Sequence, residues 1–144
     1  MGSGDSEPLQ AAAESMRTDA RVTFHCVYHV VWCSQYRAPV IEGEVEQRLH
    51  EIIVEVVHEK QAQLRHIETT PNYVYLVVEV GPQFGVHRLV KAVKARSAGQ
   101  LRDEYPSLRT RIPSMWTNSY LVATSGDGAP SALVDQYVAE QKGR

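Results

Sequence analysis

The chain has 144 residues, a formal net charge of −2, 43% hydrophobic residues and 22% charged residues, which is typical of one globular domain and excludes a disordered chain. No apolar run reaches the roughly 18 residues that a membrane helix needs, and no apolar segment follows a basic start, so we expect neither a membrane protein nor a secretory signal. The slightly acidic charge argues against a uniformly basic nucleic-acid binder.

The sequence predicts a flexible leader over residues 1–20 and a single domain over residues 21–144. Cys26 and Cys33 have opposite parity in a predicted strand and would lie on opposite faces, which argues against a zinc site or an internal disulfide. Two reduced thiols are typical of a cytoplasmic protein.

The first half of the domain predicts two strand regions around a helix. Residues 21–34 alternate with period two and predict one long strand. Between Glu44 and Gln61, apolar residues recur at helical spacing, which predicts an amphipathic helix with an acidic outer face. Residues 64–70 and 73–80 read as two strands of a hairpin that turns at Pro71-Asn72.

The second half predicts a longer helix, a strand and a terminal helix. The longer helix covers residues 84–104 and stops at Pro106, and a fourth strand covers residues 115–124. Residues 125–130, SGDGAP, predict a flexible hinge before a short helix over residues 131–141. The order β-α-β-β-α-β is typical of the α+β class, as a ferredoxin-like split βαβ sandwich with both main helices on one face of an antiparallel sheet.

The longer helix carries a marked local charge. Residues 84–102 contain five basic side chains and no acidic one, and we expect the basic ones to point outward. A phosphate-binding face and a solvated cationic face both remain open, and Arg37, Arg109 and Arg111 would extend a phosphate track. The five basic residues are Arg88, Lys91, Lys94, Arg96 and Arg102.

Several residues are candidates for chemistry. Tyr137 and Gln141 are four residues apart and share one helix face, which fits either a nucleophile beside a metal ligand or, more commonly, a half-packed aromatic with a solvated glutamine. His25 and His29 share a strand face about 13 Å apart, too far to chelate one ion, so we interpret them as packed or rim histidines.

Five segments together resemble the single-tyrosine transposases of bacterial insertion sequences, in the HUH nuclease superfamily. The resemblance runs from about Phe24 to Gln141, nearly the whole chain beyond the leader. In order, the segments are YHVVWCSQYRAPV, PNYVYLVVEV, LVKAVKARSAGQL, MWTNSYLVAT and YVAEQ.

The resemblance implies a mechanism. A tyrosine of the terminal helix, here Tyr137, attacks single-stranded DNA and leaves a 5′-phosphotyrosine and a free 3′-OH. Two histidines flanking one apolar residue, with a glutamine that is here Gln141, hold a divalent cation such as Mg²⁺ or Mn²⁺. Family members act on hairpin ends as homodimers that can exchange the terminal helix, for which residues 124–130 are a plausible hinge.

At the two histidine positions this sequence has Tyr73 and Tyr75, on either side of Val74. A phenol, with a pKa near ~10, is a poor neutral ligand. Three explanations remain open: a natural derivative that lost cleavage and kept DNA binding, a deliberately altered or redesigned version, or a protein whose phenolates hold a harder cation such as Mn²⁺ or Fe³⁺. These tyrosines could also stack on unpaired bases.

We therefore expect a transposase-like protein with reduced cleavage. The alternatives are a non-cleaving DNA-hairpin-binding derivative and a ferredoxin-like RNA-binding module. The residues expected at the DNA are Arg37, Arg88, Lys91, Lys94 and Arg96, and those at the metal positions are Gln141, Tyr73 and Tyr75.

Overall fold

The computed structural model describes residues 17–19, 22–24, 26–124, 131–141 and 143. The strands are β1 (Arg17–Asp19), β2 (Val22–Phe24), β3 (Val27–Cys33), β4 (Gln63–Thr70), β5 (Tyr73–Glu79) and β6 (Leu121–Ala123). The helices are α1 (Gly43–Glu59), α2 (Val86–Glu104), α3 (Ser107–Arg111) and α4 (Ser131–Glu140).

The main sheet is antiparallel with the order β4-β5-β3-β6. Alternate residues of β3 and β5, such as Trp32 and Leu76, pack with the buried stripes of α1 and α2 into one core, because period-two and helical spacing aim apolar side chains at the same space. The predicted α+β ferredoxin-like fold with an added terminal helix is confirmed.

The β4–β5 hairpin turns at Pro71-Asn72, as predicted. Thr70 Oγ1 accepts hydrogen bonds from the backbone N–H groups of Asn72 and Tyr73, at 3.4 and 3.1 Å. Thr70 and Tyr73 are paired across the hairpin. This turn fixes the register of β5 and therefore the face on which Tyr73 lies.

Two strand predictions are wrong in extent. The strand expected over residues 21–34 is two strands, since β2 pairs with β1 and only β3 joins the main sheet. The strand expected over residues 115–124 is reduced to β6, because Trp116 meets Ser34 in an isolated bridge and the next residues leave the ladder.

Residues 17–19, at the end of the expected leader, form β1. Residues 1–16, His25 and the expected hinge at 125–130 lie outside the described residues. In the part of the chain that the structure describes, none of the helices is both long and apolar enough to cross a membrane.

Candidate functional site on the open face of the sheet

The face of the main sheet opposite α1 and α2, here called the open face, carries both tyrosines of interest. Tyr73 pairs with Cys33, and Tyr75 pairs with Val31. Their neighbour Val74 is fully buried in the core, so strand alternation places both phenols on the open face, where each is half-buried. Their predicted common orientation agrees with this register.

Tyr75 is engaged with two histidines. Its hydroxyl lies 2.9 Å from His29 Nδ1, and the two rings stack with centroids 6.0 Å apart. The His66 ring meets Tyr75 edge-on at 5.7 Å. His29 is only 5% exposed, which agrees with its interpretation as a packed histidine. The Tyr75 oxygen is therefore already the partner of a buried imidazole.

Tyr73 lies where its phenolate is disfavoured. Burial raises the pKa of Tyr73, and the negative charges of Glu68 and Asp135 raise it further. Asp135 belongs to α4, so this terminal helix comes close to the phenol. Burial also raises the pKa of the facing Cys33 thiol to about 11. Both groups keep their protons at neutral pH.

The predicted pair on the terminal helix converges on Ser119. The Ser119 hydroxyl donates to Gln141 Oε1 at 3.0 Å and lies 2.8 Å from the Tyr137 hydroxyl. Because a serine has one proton and the Gln141 oxygen takes it, the Tyr137 hydroxyl donates to Ser119 Oγ. Gln141 is 3% exposed, so the interpretation as a solvated glutamine is wrong.

Lys94 holds the segment that carries Ser119. Its amine donates to the carbonyl oxygens of Thr117 and Ser119, at 2.7 and 3.2 Å, and lies 5.4 Å from the centre of the Tyr120 ring. Burial lowers the pKa of this amine to about 8. The expectation that Lys94 points outward is therefore wrong, and its contact with DNA stays a prediction.

The terminal helix docks against its own chain. Arg37 donates from its guanidinium to the carbonyl oxygen of Val138 at 3.3 Å, and α4 contacts β3. Arg37, expected at the DNA, therefore also links the turn after β3 to α4. The structure brings Tyr137, Gln141 and Arg37 together beside the β3–β6 pair, near the end where Ser34 and Trp116 meet.

Three other basic residues of α2 differ from one another in their contacts. Arg96 pairs with Glu59 at 2.8 Å and Glu55 at 3.7 Å on α1. Arg88 stacks over the Phe84 ring at 4.6 Å, and Lys91 is exposed. The basic stretch is therefore not one uniform cationic face, because Arg96 is already matched by glutamates.

The donors at the implied metal positions do not fit a ready-made cation site. Tyr75 is bonded to His29, the raised pKa of Tyr73 opposes phenolate formation, and the Gln141 oxygen accepts from Ser119. Across the described residues, no cluster of three or more His, Cys, Asp or Glu side chains could hold a metal ion. We therefore assign no chemical step to a metal.

Sequence reasoning missed the roles of Ser119 and Lys94. Ser119 lies within a segment that was expected to be a regular strand, where its hydroxyl has no distinguishing spacing. The inward turn of Lys94 is equally invisible, since its position on α2 fits a solvated face. Between the Trp116 bridge and β6, the segment 117–120 contains two residues more than the facing part of β3, and this irregular segment creates both contacts.

Known proteins resemble the chain over most of its length. Residues 22–141 match the family model described as transposase IS200 like. The ISDra2 transposase TnpA of Deinococcus radiodurans is 27% identical over 128 residues, covering 88% of this chain and 91% of the relative. The transposase for insertion sequence element IS200 of Salmonella typhimurium is 22% identical over 124 residues, covering 85% of this chain and 80% of the relative.

Two solved structures share the fold. A structure described as a transposase from Deinococcus radiodurans superposes with a TM-score of 0.79 and 28% identity, covering 88% of this chain and 98% of its own. The REP-associated tyrosine transposase bound to a REP hairpin gives a TM-score of 0.53 at 8% identity, covering 86% of this chain and 68% of its own. At that identity the second likeness is one of fold alone.

Proposed function

This chain belongs to the family of IS200-like transposases, and we propose on that premise that it binds single-stranded DNA hairpin ends while cleaving them only weakly. Its role lies in DNA transposition. The fold that it shares with a transposase solved on a REP hairpin supports a hairpin as the partner. The proposal places the protein in the cytoplasm.

One observation supports the proposal that cleavage is weak. The two positions flanking Val74 hold a phenol bonded to a buried histidine and a second phenol whose pKa is raised by burial and by nearby carboxylates. Neither group offers a neutral nitrogen lone pair to a cation, as the histidines implied at these positions would. DNA binding does not depend on those lone pairs, so binding is retained.

The residual reaction assigned to Tyr137 is an attack on a phosphodiester. The phenol oxygen forms a bond to phosphorus, the bond from phosphorus to the 3′-oxygen breaks, and the 5′-phosphate remains on the tyrosine. The phenol loses its proton and the 3′-oxygen gains one, which leaves a free 3′-OH. Ser119 accepts a hydrogen bond from the Tyr137 hydroxyl and orients the phenol, and the proton itself leaves to solvent because a serine hydroxyl is too weak a base to hold it.

We further propose that two chains form a homodimer and exchange α4 between the subunits. Such an exchange must break contacts that the C-terminal segment makes with its own chain, among them the Arg37–Val138 bond and the Ser119 bonds of Tyr137 and Gln141.

The test is an adduct assay on a labelled pool of single-stranded DNA hairpins with randomised flanks, incubated with Mn²⁺. We expect salt-sensitive binding, because phosphate contacts release counterions, and little denaturant-resistant protein–DNA adduct. Tyr73→His with Tyr75→His should raise the adduct, and adding Tyr137→Phe should abolish it. Tyr105→Phe, a remote tyrosine whose hydroxyl bonds the Glu44 carbonyl oxygen, is the matched control.

Each arm has an outcome against the proposal. Adduct formation by the parent protein at the level of the histidine pair would contradict weak cleavage. An unchanged, negligible adduct in the histidine pair would favour the non-cleaving derivative. Single-stranded RNA that outcompetes matched DNA would favour the RNA-binding module instead.

A further inference from the structure

An open pocket of about 470 Å³ lies beside the tyrosine site. Gln141 and Ser119 are among its lining residues, and Ser119 joins the pocket to Tyr137 through their hydrogen bond. Tyr36 and the exposed Asn118 also line it. The volume falls within the roughly 300–1,000 Å³ of small-ligand sites, so a planar ring with its substituents can enter.

Tyr36 has two unusual properties. The residue is 55% exposed, so burial does not explain an aromatic residue at this position. Its backbone and that of Arg37 are left-handed, with φ of 58° and 52°. Non-glycine residues adopt this conformation at a cost, and such strain is concentrated at binding and catalytic sites.

The turn that carries Tyr36 is held firmly. Gln35 donates from its backbone N–H to Met115 O at 3.1 Å, and its side-chain oxygen accepts from Ser114 N–H at 2.8 Å. Arg37 N–H donates to Ser34 O at 3.0 Å. The phenol ring is therefore presented on a fixed backbone, and a ligand need not order the loop.

We propose that this pocket binds one unpaired nucleobase of single-stranded DNA, with the Tyr36 ring stacked on the base. The inference rests on the proposed function and deepens it. A base has a flat aromatic face for Tyr36 and polar edges for the Asn118 amide and the neighbouring hydroxyls. A nucleotide held there places its own backbone next to Tyr137, because Ser119 lines the pocket and bonds that tyrosine.

The test compares oligothymidine with an abasic deoxyribose-phosphate strand of equal length, since stacking tolerates any base. We expect the parent protein to prefer oligothymidine, and Tyr36→Ala to lower oligothymidine affinity by roughly tenfold while hardly changing affinity for the abasic strand. Tyr36→Phe, which keeps the ring, should retain most of the preference. Val54→Ala, at another exposed apolar residue, is the control.

The outcomes separate this inference from the proposed function. If the parent protein binds hairpins and oligothymidine but Tyr36→Ala binds oligothymidine equally well, the base pocket is wrong and hairpin binding stands. If the parent protein binds no DNA at all, both are wrong. Equal loss on both strands by Tyr36→Ala also overturns stacking, and unchanged thermal unfolding of the variant shows that the loss is not one of folding.

Discussion

The two faces of the main sheet are built from different chemistry. The face toward α1 and α2 consists of apolar side chains such as Val30, Trp32 and Leu76, each at most 2% exposed. The open face carries His29 and Tyr75, joined by a hydrogen bond. One face is stabilised by apolar packing, whereas the other adds specific polar contacts to buried residues such as Val31 and Cys33.

This contrast explains why the fold and the chemistry can change separately. A replacement of Tyr73 and Tyr75 on the open face leaves Val74 and Leu76 in the core, so strand pairing and helix packing are kept. The same replacement changes which atoms are offered to a ligand. Side chains of the open face can therefore change while the sheet and its core are kept.

The largest expected effect is on the face of the sheet toward α1 and α2, here called the covered face. Leu49→Ala removes a fully buried side chain of α1 and leaves a cavity, which should lower the free energy of unfolding by about 2–5 kcal/mol. Val54→Ala, on the same helix but 52% exposed, should change it by less than about 0.5 kcal/mol. Urea denaturation measures both, and a Leu49→Ala loss no larger than that of Val54→Ala would contradict the packing of α1.

The covered face could be predicted because its signal is periodic and redundant. The α1 helix was expected at residues 44–61 and is found at Gly43–Glu59, and the turn at Pro71-Asn72 is correct. Six apolar positions at helical spacing specify α1, so an error at one of them changes little. Its end comes early because Gln61 has a φ of 58°.

The open face could be predicted only in part. Period two places Tyr73 and Tyr75 together, and helical spacing places Tyr137 above Gln141. The sequence does not show that Ser119 joins this last pair, because that contact depends on an irregular segment. Nor does it show that His29 bonds Tyr75 across two strands, since a single sequence does not specify strand register at that detail.

A second prediction tests the open face and also concerns the free energy of unfolding. Tyr75→Phe removes the hydroxyl beside His29 and leaves that buried imidazole nitrogen without this partner, which should cost about 1–3 kcal/mol of unfolding free energy. Tyr105→Phe removes a hydroxyl at a solvent-exposed hydrogen bond and should cost less. Equal effects of the two changes in urea denaturation would show that the open face does not depend on this bond.

A third prediction concerns the pH dependence supplied by Lys94. Burial lowers the pKa of this amine from 10.5 to about 8 in the folded chain. Between these two values the unfolded state binds more protons, so this group increases stability as pH rises from 8 toward 10.5. The stability of the parent protein relative to Lys94→Met should therefore increase across that window.

Urea denaturation of the two proteins at several pH values measures this difference. Burial raises the pKa of the Cys33 thiol from its ordinary value of 9 to about 11. The contribution of this thiol to the free energy of unfolding therefore decreases as pH rises between those two values. Cys33 is present in both proteins, but the charge of Lys94 lowers the pKa of its thiol, so the Cys33 contribution cancels only in part. A difference that is flat or decreasing with pH would mean that the Lys94 amine is not buried against the Thr117 and Ser119 carbonyl groups.

The smallest expected effect distinguishes two cations of α2. Arg96 is already paired with Glu59, which holds the pKa of that carboxyl below its usual range, whereas Lys91 is exposed. Lys91→Ala should reduce the salt dependence of DNA affinity by about one counterion, and Arg96→Ala by less, because part of the Arg96 charge is neutralised within the protein. Plots of log affinity against log salt for both variants measure this. A larger change of slope for Arg96→Ala would mean that DNA displaces the glutamates of α1 and binds along the outer surface of α1 and α2.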